Sequence, residues 1–584
     1  MTKGQRNGGH RSPGTVVLLS LVIVAGTALA AFCARVHEPG PGRTPFLLVC
    51  PAGRAAATRA LRTWQSQAGK ASTAVEAGTA VRLVVAGEEE ALRRLGQGTA
   101  AAYLAVGSDL VPAAPGQAPR LPVGLASKEL LVEPILLFSD FPTPMAEINL
   151  DLARQVVKAI QETGRSPLPG LSLGTLADRR PDRQAWTVAG VFPGAATCLD
   201  GSYRLGHPVR LIFDRARGLP PSLQSFARWL TTPAGRASWL GLDPDQPEIR
   251  LAAVGDIMLD RGVARAMKFH GVFYPLSDLA ERLAGYDLTV GNLESPFGTS
   301  GERVPGKGIW FQADPGAVKL LLKAGFDAVS LANNHTLDYG EEAFLENLSV
   351  LDQAAVGHFG GGRDLAEARR PLVLTVCPRW IASLMLNPRP YLRVAFLGYS
   401  ELADVYWSRE TRWSFAATPY RPGVAPLRPH DFASIEEDIR AARRQAEVVI
   451  VYYHWGREYE DRPTRVQKEL ARRTIAAGAD LVLGAHPHTV QGVEIVTTPE
   501  RRGLVAYSLG NFIMDQPWWA TRQSMILEVD LDRTGVRGFR IVPLEIDEAK
   551  PHPLEPGRAT VVAYAWHTLL SAAAAWKEAG QPNA

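Results

Sequence analysis

Val448-Val449-Ile450-Val451-Tyr452-Tyr453-His454-Trp455-Gly456 is an apolar run that stops on a histidine and a glycine. A short run of β-branched and aromatic residues closed by a turn signal reads as a buried strand. The same design recurs on both sides of it. Strands are expected at Ile249–Val254, Leu288–Val290, Ala328–Leu331, Val394–Leu397, Leu481–Leu483 and Leu504–Ser508, with helices at Asp314–Lys323, Ser434–Gln445 and Thr464–Ala477 between them. Alternation of this kind predicts a layered α/β core.

Six short polar motifs stand at the carboxyl ends of these strands, where α/β sheets bind ligands. They are Gly255-Asp256, Gly291-Asn292-Leu293-Glu294, Ala332-Asn333-Asn334-His335, His454-Trp455-Gly456, His486-Pro487-His488 and Ser508-Leu509-Gly510-Asn511-Phe512. Each has a bland reading. Gly255-Asp256 suits a turn and a helix cap, Asn333-Asn334-His335 suits a turn, a lone His454 suits the core, and Ser508–Phe512 suits a tight bend in which Asn511 bonds backbone. Together they form an oxygen-and-imidazole set without cysteine. Such a set fits Zn, Mn or Fe and not a thiolate structural zinc site. Two metals a few ångströms apart would bind a phosphoryl group and activate water. In an extended stretch, residues two apart point to one side, so His486 and His488 are expected to face one metal cluster.

GDIML, GNLESP, SLANNHTLDYG, HWGREY, GAHPH and YSLGNF occur in the order and approximate spacing of the capsule-synthesis CapA family, which this region resembles from Ile249 to Phe512. Gly360-Gly361-Gly362 with Glu367-Ala368, and Lys307 with Trp310-Phe311-Gln312-Ala313-Asp314-Pro315, add matching segments. The resemblance implies a calcineurin-like metallophosphoesterase fold and a link to making or exporting poly-γ-glutamate and related surface polymers. It also implies roles for named residues. Asp256 is the first-strand ligand of one metal, to which His488 returns. Glu294 takes the place of a bridging aspartate, and Asn334, His454 and His486 ligate the other metal. His335 is the leaving-group acid, a role that calls for a histidine poised near neutral pH. Asn292, Asn333 and Asn511 support them. One departure stands out: the superfamily has a histidine two residues after the first aspartate, and here that place is Met258. A thioether is a poor ligand for such ions, so two divalent metals are expected, or one if the Met258 side is empty.

The rest of the 584 residues divides around this domain. Lys3, Arg6 and Arg11 precede an uncharged run from Thr15 to Ala34, the order of an export signal. Residues 1–36 are therefore read as a signal or anchor segment that leaves the bulk outside the cell membrane, with secretion after cleavage at Ala28-Leu29-Ala30 as the alternative. Residues 37–45 form a Pro/Gly-rich linker. From 46 to 243, strand-like runs at Phe46–Cys50, Val81–Val85, Ala101–Val106 and Leu130–Phe138 alternate with helix-like segments at Glu88–Leu95 and Leu150–Ile160. Asp200-Gly201-Ser202-Tyr203-Arg204-Leu205, His207-Pro208 and the FARWL and TPAG segments at 226–235 resemble the closing part of phosphate-type periplasmic binding proteins. The first loop, PAGRAA, lacks their Ser/Thr-rich anion cradle, so a degenerate, non-transporting lobe pair is expected. Asp243–Pro247 marks a boundary, 249–546 is the second domain, and 559–580 reads as a C-terminal helix. Cys50, Cys198 and Cys377 show no zinc spacing and are read as buried free thiols, a Cys50–Cys198 bridge remaining open.

Composition narrows the function. Hydrophobic residues make up 46%, charged residues 21% and the net charge is +4, with no long basic run, so nothing points to nucleic acid. The leading expectation is an extracytoplasmic, metal-dependent hydrolase acting in synthesis, release or attachment of a surface polymer. Its expected partners are that polymer and a membrane polymer synthase. The rival readings are a non-catalytic polymer-binding or assembly protein and an anion or solute receptor through the N-terminal domain. Trp455, Trp518 and Trp519 are candidates for a cleft rim, with core packing as the alternative.

Overall fold

The computed structural model describes residues 247–379, 391–405, 413–555 and 558, and before residue 247 a series of separate strands and helices between Phe46 and Leu242. The expected signal or anchor segment, the linker, the 559–580 helix and Cys50 lie outside the described residues. Among the described residues no helix is long and apolar enough to cross a membrane. Cys198 is buried, whereas Cys377 is only partly buried.

The chain separates into two compact units, one running to Leu130 with Arg210–Trp229 and the other holding Leu131–Val209 with Leu230 onward. The region 46–243, expected as one domain, contributes to both. In the first unit Phe46–Val49 pairs in parallel with Arg82–Val85 on one side and Ala102–Val106 on the other, with helices Arg54–Lys70 and Glu88–Gly96 between the strands. The run expected at Leu130–Phe138 is divided between strands Leu125–Pro134 and Leu136–Asp140. The latter pairs antiparallel with Leu171–Gly174 and Arg183–Ala185.

From Ile249 the second unit builds two large sheets, beside a two-stranded pair of Gly361–Gly362 with Gly423–Val424. The strands are β1 (Ile249–Ile257), β2 (Leu288–Leu293), β3 (Ala328–Ser330), β4 (Gly357–Phe359), β5 (Leu372–Val376), β6 (Leu392–Ser400), β7 (Val448–His454), β8 (Leu481–Ala485), β9 (Val493–Thr497), β10 (Arg502–Ala506), β11 (Asn511–Ile513), β12 (Gln523–Asp532), β13 (Gly535–Asp547) and β14 (Lys550–Pro553). One sheet runs β4-β3-β2-β1-β12-β13-β14, with β11 also pairing β1, and the other runs β5-β6-β7-β8-β10-β9. The strands that end in polar motifs pair in parallel, so their carboxyl ends share an edge.

Side-chain alternation sorts each strand between two layers. Leu251 and Ala253 of β1 join Ile450 and Tyr452 of β7 in a core between the sheets. Ala252 and Val254 face the other way, onto helices that supply Val263, Leu320, Phe344 and Leu348. Val449, Val451 and Tyr453 face helices that supply Ile435, Ile439, Leu470 and Ile475. The result is helix, sheet, sheet, helix. The helix after β8's neighbour β7 begins on a capping box at Thr464 and Gln467, which supplies orphan N–H groups with acceptors.

The two sheets are tied together at the motif edge. The Tyr452 hydroxyl donates to the Val254 carbonyl at 2.7 Å, and the His486 N–H points to Asp256 Oδ2 at 3.4 Å. Gly255 lets β11 come close, because a Cβ there would meet the Gly510 carbonyl oxygen at 1.8 Å. That approach carries the Asp256 N–H to the Gly510 carbonyl at 3.0 Å.

Candidate metal centre

All six residues expected to ligate metal come to one lip of the paired sheets. Asp256 closes β1, Glu294 follows β2, Asn334 follows β3, His454 closes β7, and His486 and His488 follow β8. Asp256, Glu294 and His488 each offer a ligand atom, and these atoms lie within 4.8 Å of one another. His488 Nδ1 is 3.4 Å from Asp256 Oδ2, and its Nε2 is 3.8 Å from Glu294 Oε1. Beside them His454 Nε2 stands 2.7 Å from Asn334 Oδ1, and the His454 and His486 rings are 4.8 Å apart.

The expected supporting amides join the halves. Asn292 donates to Asp256 Oδ1 at 2.8 Å and lies 3.5 Å from His454 Nδ1. Asn333 donates to Asn292 Oδ1 and to the Leu293 carbonyl, while its own Oδ1 accepts the His335 N–H at 3.0 Å. Asn511 bonds backbone, as expected, by donating to the Thr521 carbonyl, and its Oδ1 also lies 2.8 Å from His488 Nδ1. The Asn511 oxygen at Nδ1 fixes a proton there and leaves Nε2 as the ring nitrogen turned toward Glu294.

His486 and His488 are not in an extended stretch. Their φ values are 96° and 59°, so two left-handed residues, and not strand alternation, turn both rings to the site. Non-glycine residues adopt this backbone at a cost, and such outliers gather where a site demands them.

The electrostatics of the cluster set two buried acids against buried imidazoles. Both Glu294 carboxylate oxygens are buried and lack a hydrogen-bond partner, as does His486 Nδ1. Burial and the Asp256 charge push Glu294 up to about 8. Burial works against a charged His488, yet Glu294 and Asp256 outweigh it and hold the imidazole at about 9. His486 goes the other way, to about 3, through burial and then the neighbouring His488 and His335. Burial first, and then His486, holds His454 well below the usual histidine value. His454 and His486 are thereby kept neutral, with lone pairs of the kind divalent ions take.

Met258 does not complete this set. It is fully buried in the helix-side core, and its sulfur lies 3.2 Å from the Asp260 N–H.

His335 stands next to Asn334 under Phe311, whose ring stacks on it at 4.1 Å. Its Nδ1–H donates to Asp338 Oδ2 at 2.7 Å, and the same oxygen accepts the Phe311 N–H at 2.7 Å. Lys307 donates to Asp338 Oδ1 and to the Asn334 carbonyl. Burial and the Lys307 charge outweigh Asp338 and push His335 down to about 4, below the near-neutral poise expected from sequence. Asp338 was the residue that motif reading passed over. The sequence shows it only as a carboxylate three residues after His335; its weight comes from being 0% exposed among these donors.

Of the tryptophans, Trp455 is fully buried and donates to the Tyr507 carbonyl at 2.9 Å. Trp518 is 58% exposed and meets Tyr459 edge-on at 5.5 Å, with Tyr459 in turn 6.1 Å from His488. Trp518 is thus at the rim and Trp455 in the core.

Residues 250–516 match the family model described as bacterial capsule synthesis protein PGA_cap. The chain is 30% identical over 303 residues to the PGA biosynthesis protein CapA of Bacillus subtilis, covering 52% of this chain and 73% of that protein. It is 28% identical over 314 residues to the capsule biosynthesis protein CapA of Bacillus anthracis, covering 53% and 70% respectively. Among solved structures, an ABC-type phosphate transport receptor from Vibrio cholerae superposes on 34% of this chain and 98% of its own, at 8% identity and a TM-score of 0.25.

Proposed function

Since the chain belongs to the PGA_cap family of bacterial capsule synthesis proteins, we propose that residues 249–546 form a metal-dependent hydrolase acting in synthesis, release or attachment of poly-γ-glutamate or a related surface polymer. The observation that carries this reading is Glu294: a fully buried carboxylate with two unpartnered oxygens, facing Asp256 and His488. An orphaned buried carboxylate is costly, and a cation relieves it. The helix, sheet, sheet, helix layering supports a calcineurin-like arrangement.

Asp256, Glu294 and His488 would hold one divalent ion, and Asn334, His454 and His486 a second. Mn, Zn or Fe bound there supplies Lewis acidity and a water that ionises near neutral pH. The chain's own residues do the rest. Asp338 fixes the His335 tautomer through Nδ1 and leaves Nε2 for proton transfer to the leaving oxygen or nitrogen. An anionic substrate brings negative charge to that nitrogen, which opposes burial and Lys307 and returns His335 toward its charged form.

Residues 1–36 would anchor the chain so that it works outside the cell membrane beside a membrane polymer synthase, and residues 46–243 would form a receptor-like lobe pair without transport function. Met258 favours a second reading, a non-catalytic assembly protein, because its sulfur faces backbone and adds no ligand. Metal stoichiometry on the full chain, with phosphoester and amide hydrolysis by wild type and His335→Ala, separates the two. Bound metal and His335-dependent turnover support the hydrolase; no metal under several loading conditions overturns it.

A further inference from the structure

Two large aromatic side chains stay in solvent at the mouth of the metal centre. Trp518 is 58% exposed and Tyr459 49% exposed, and they meet edge to face. The fold holds both there. The Tyr459 N–H donates to the Pro487 carbonyl at 2.8 Å, between His486 and His488, at a φ of 66° that a bulky residue resists. The Trp518 carbonyl accepts the N–H groups of Thr521 and Arg522 at 3.1 and 3.2 Å, and the Thr521 carbonyl in turn accepts the Asn511 amide. Asn511 also meets His488. Each ring is therefore tied, by a different loop, to the surroundings of the same imidazole.

The rim of the mouth is a continuous arc whose two ends differ chemically. It starts at His335, on which Phe311 stacks, and passes to the Arg261 guanidinium, 4.8 Å from the Phe311 ring. Arg261 pairs with Asp515, and Trp518 follows three residues later. The arc closes through Tyr459 onto His488, 6.1 Å away. Tyr459 is turned to the centre: burial first, and then the charges of Glu458 and Glu294, raise its phenol, so its hydroxyl end lies in the field of Glu294.

The two ends have different work. At the His335 end the leaving atom takes its proton, and a group that stays on the reacting phosphorus or carbonyl carbon needs another place. Arg261 and Asp515 neutralise each other in the middle of the arc. The surface that remains is the aromatic pair, which gains by covering a flat or apolar group.

We propose that Tyr459 and Trp518 are specificity residues that seat the substituent retained on the reacting atom, so that the site takes linkages with an organic group on both sides, such as those inside a polymer chain. The proposal rests on the hydrolase reading of the centre.

The first test is calorimetric titration of the manganese-loaded full chain with phenylphosphonate and methylphosphonate, whose P–C bond stands for a retained group and is not hydrolysed. Wild type binds the phenyl compound about tenfold more tightly, the scale of one good aromatic contact. Trp518→Ala and Tyr459→Ala bring the two affinities within about twofold by weakening the phenyl compound, whereas Tyr459→Phe keeps the preference. Trp518→Ala takes up metal and melts as wild type does, which separates ligand contact from misfolding. The second test compares two diesters with the same p-nitrophenyl leaving group, one retaining phenyl and the other methyl. Their kcat/KM ratio is about ten in wild type, arises in KM, and falls to near one in the two alanine variants. No binding of either phosphonate, equal affinity for the two, or a preference that survives both alanine substitutions overturns the specificity role. The phosphonate pattern without turnover of either diester sinks the hydrolase reading alone, and turnover without a phenyl preference sinks the aromatic seat alone.

Discussion

Replacing Asp338 by asparagine tests how His335 is held. The carboxylate is 0% exposed and surrounded by donors: Lys307 on Oδ1, and His335 Nδ1–H and the Phe311 N–H on Oδ2. An asparagine supplies one acceptor and one donor group. With its oxygen toward His335, its NH2 faces the Lys307 ammonium; turned over, its NH2 faces the Phe311 N–H and His335. Either orientation sets donor against donor and leaves a buried ammonium without its counter-charge, a defect that costs about 3–5 kcal/mol. In calorimetry of the full chain, the transition that added metal stabilises therefore falls by of order 10 °C in Asp338→Asn. The double variant Lys307→Met/Asp338→Asn recovers more than half of that loss, because the stranded charge is gone. Kinetics separate position from stability. Where the leaving group is a poor one, losing the oriented imidazole slows turnover by about 10²–10³, whereas a nitrophenyl ester, which needs no proton, slows by less than about tenfold. Equal slowing of both esters, or a Tm drop under about 2 °C, refutes the argument.

Glu294→Gln removes the orphaned carboxylate, so the metal-free protein is unchanged or stabilised while the Tm rise on adding Mn or Zn disappears; differential scanning fluorimetry with and without EDTA reads both. Gly255→Ala drives a Cβ to 1.8 Å from the Gly510 oxygen, displacing β11 and with it Asn511 and His488, for a loss of about 3 kcal/mol or more and weaker metal binding by calorimetry. Burial alone would raise Glu528, but Arg540, Arg282 and Arg250 outweigh it and hold it well below the ordinary glutamate value of 4.5. A depressed carboxylate stabilises the fold above its unfolded pKa and ceases to as pH falls toward its folded one. Wild type should therefore lose Tm steeply below about pH 4.5, and Glu528→Gln should be less stable at neutral pH with a flatter acid limb.

The strands and the motifs were legible because each strand is an apolar run that changes to polar residues where it leaves the core. β7 was expected at Val448–Tyr453 and spans Val448–His454, and the helix expected at Thr464–Ala477 spans Arg465–Ala477 with Thr464 as its cap. Features that depend on tertiary geometry were not. The long antiparallel pair β12 and β13 and the strand β14 escaped notice. Their residues alternate between the inter-sheet core and charged partners such as Glu528 and Asp530, so they show no continuous apolar run. The left-handed backbone at His486 and His488 leaves no mark in an HPH tripeptide. Asp338 was visible only as one more polar residue in a loop, because its value comes from Lys307 and Phe311, which lie far from it in sequence.

The division of labour between the sheets explains why the site needs both. The first sheet brings Asp256, Asn292, Glu294 and Asn334, and the second brings His454, His486 and His488. Among the candidate ligands, acids and amides therefore arrive on one layer and imidazoles on the other. Alone, the first layer would bury two carboxylates within reach of each other, and the second would bury three imidazoles. Neither arrangement is tolerable in a low-dielectric interior without its complement. Packing the layers makes the complement, through Tyr452 to Val254 and His486 to Asp256. Glu294 still lacks a hydrogen bond after that packing is complete. The residual imbalance is concentrated on one carboxylate at the junction of the two layers, where a shared cation would be held by both.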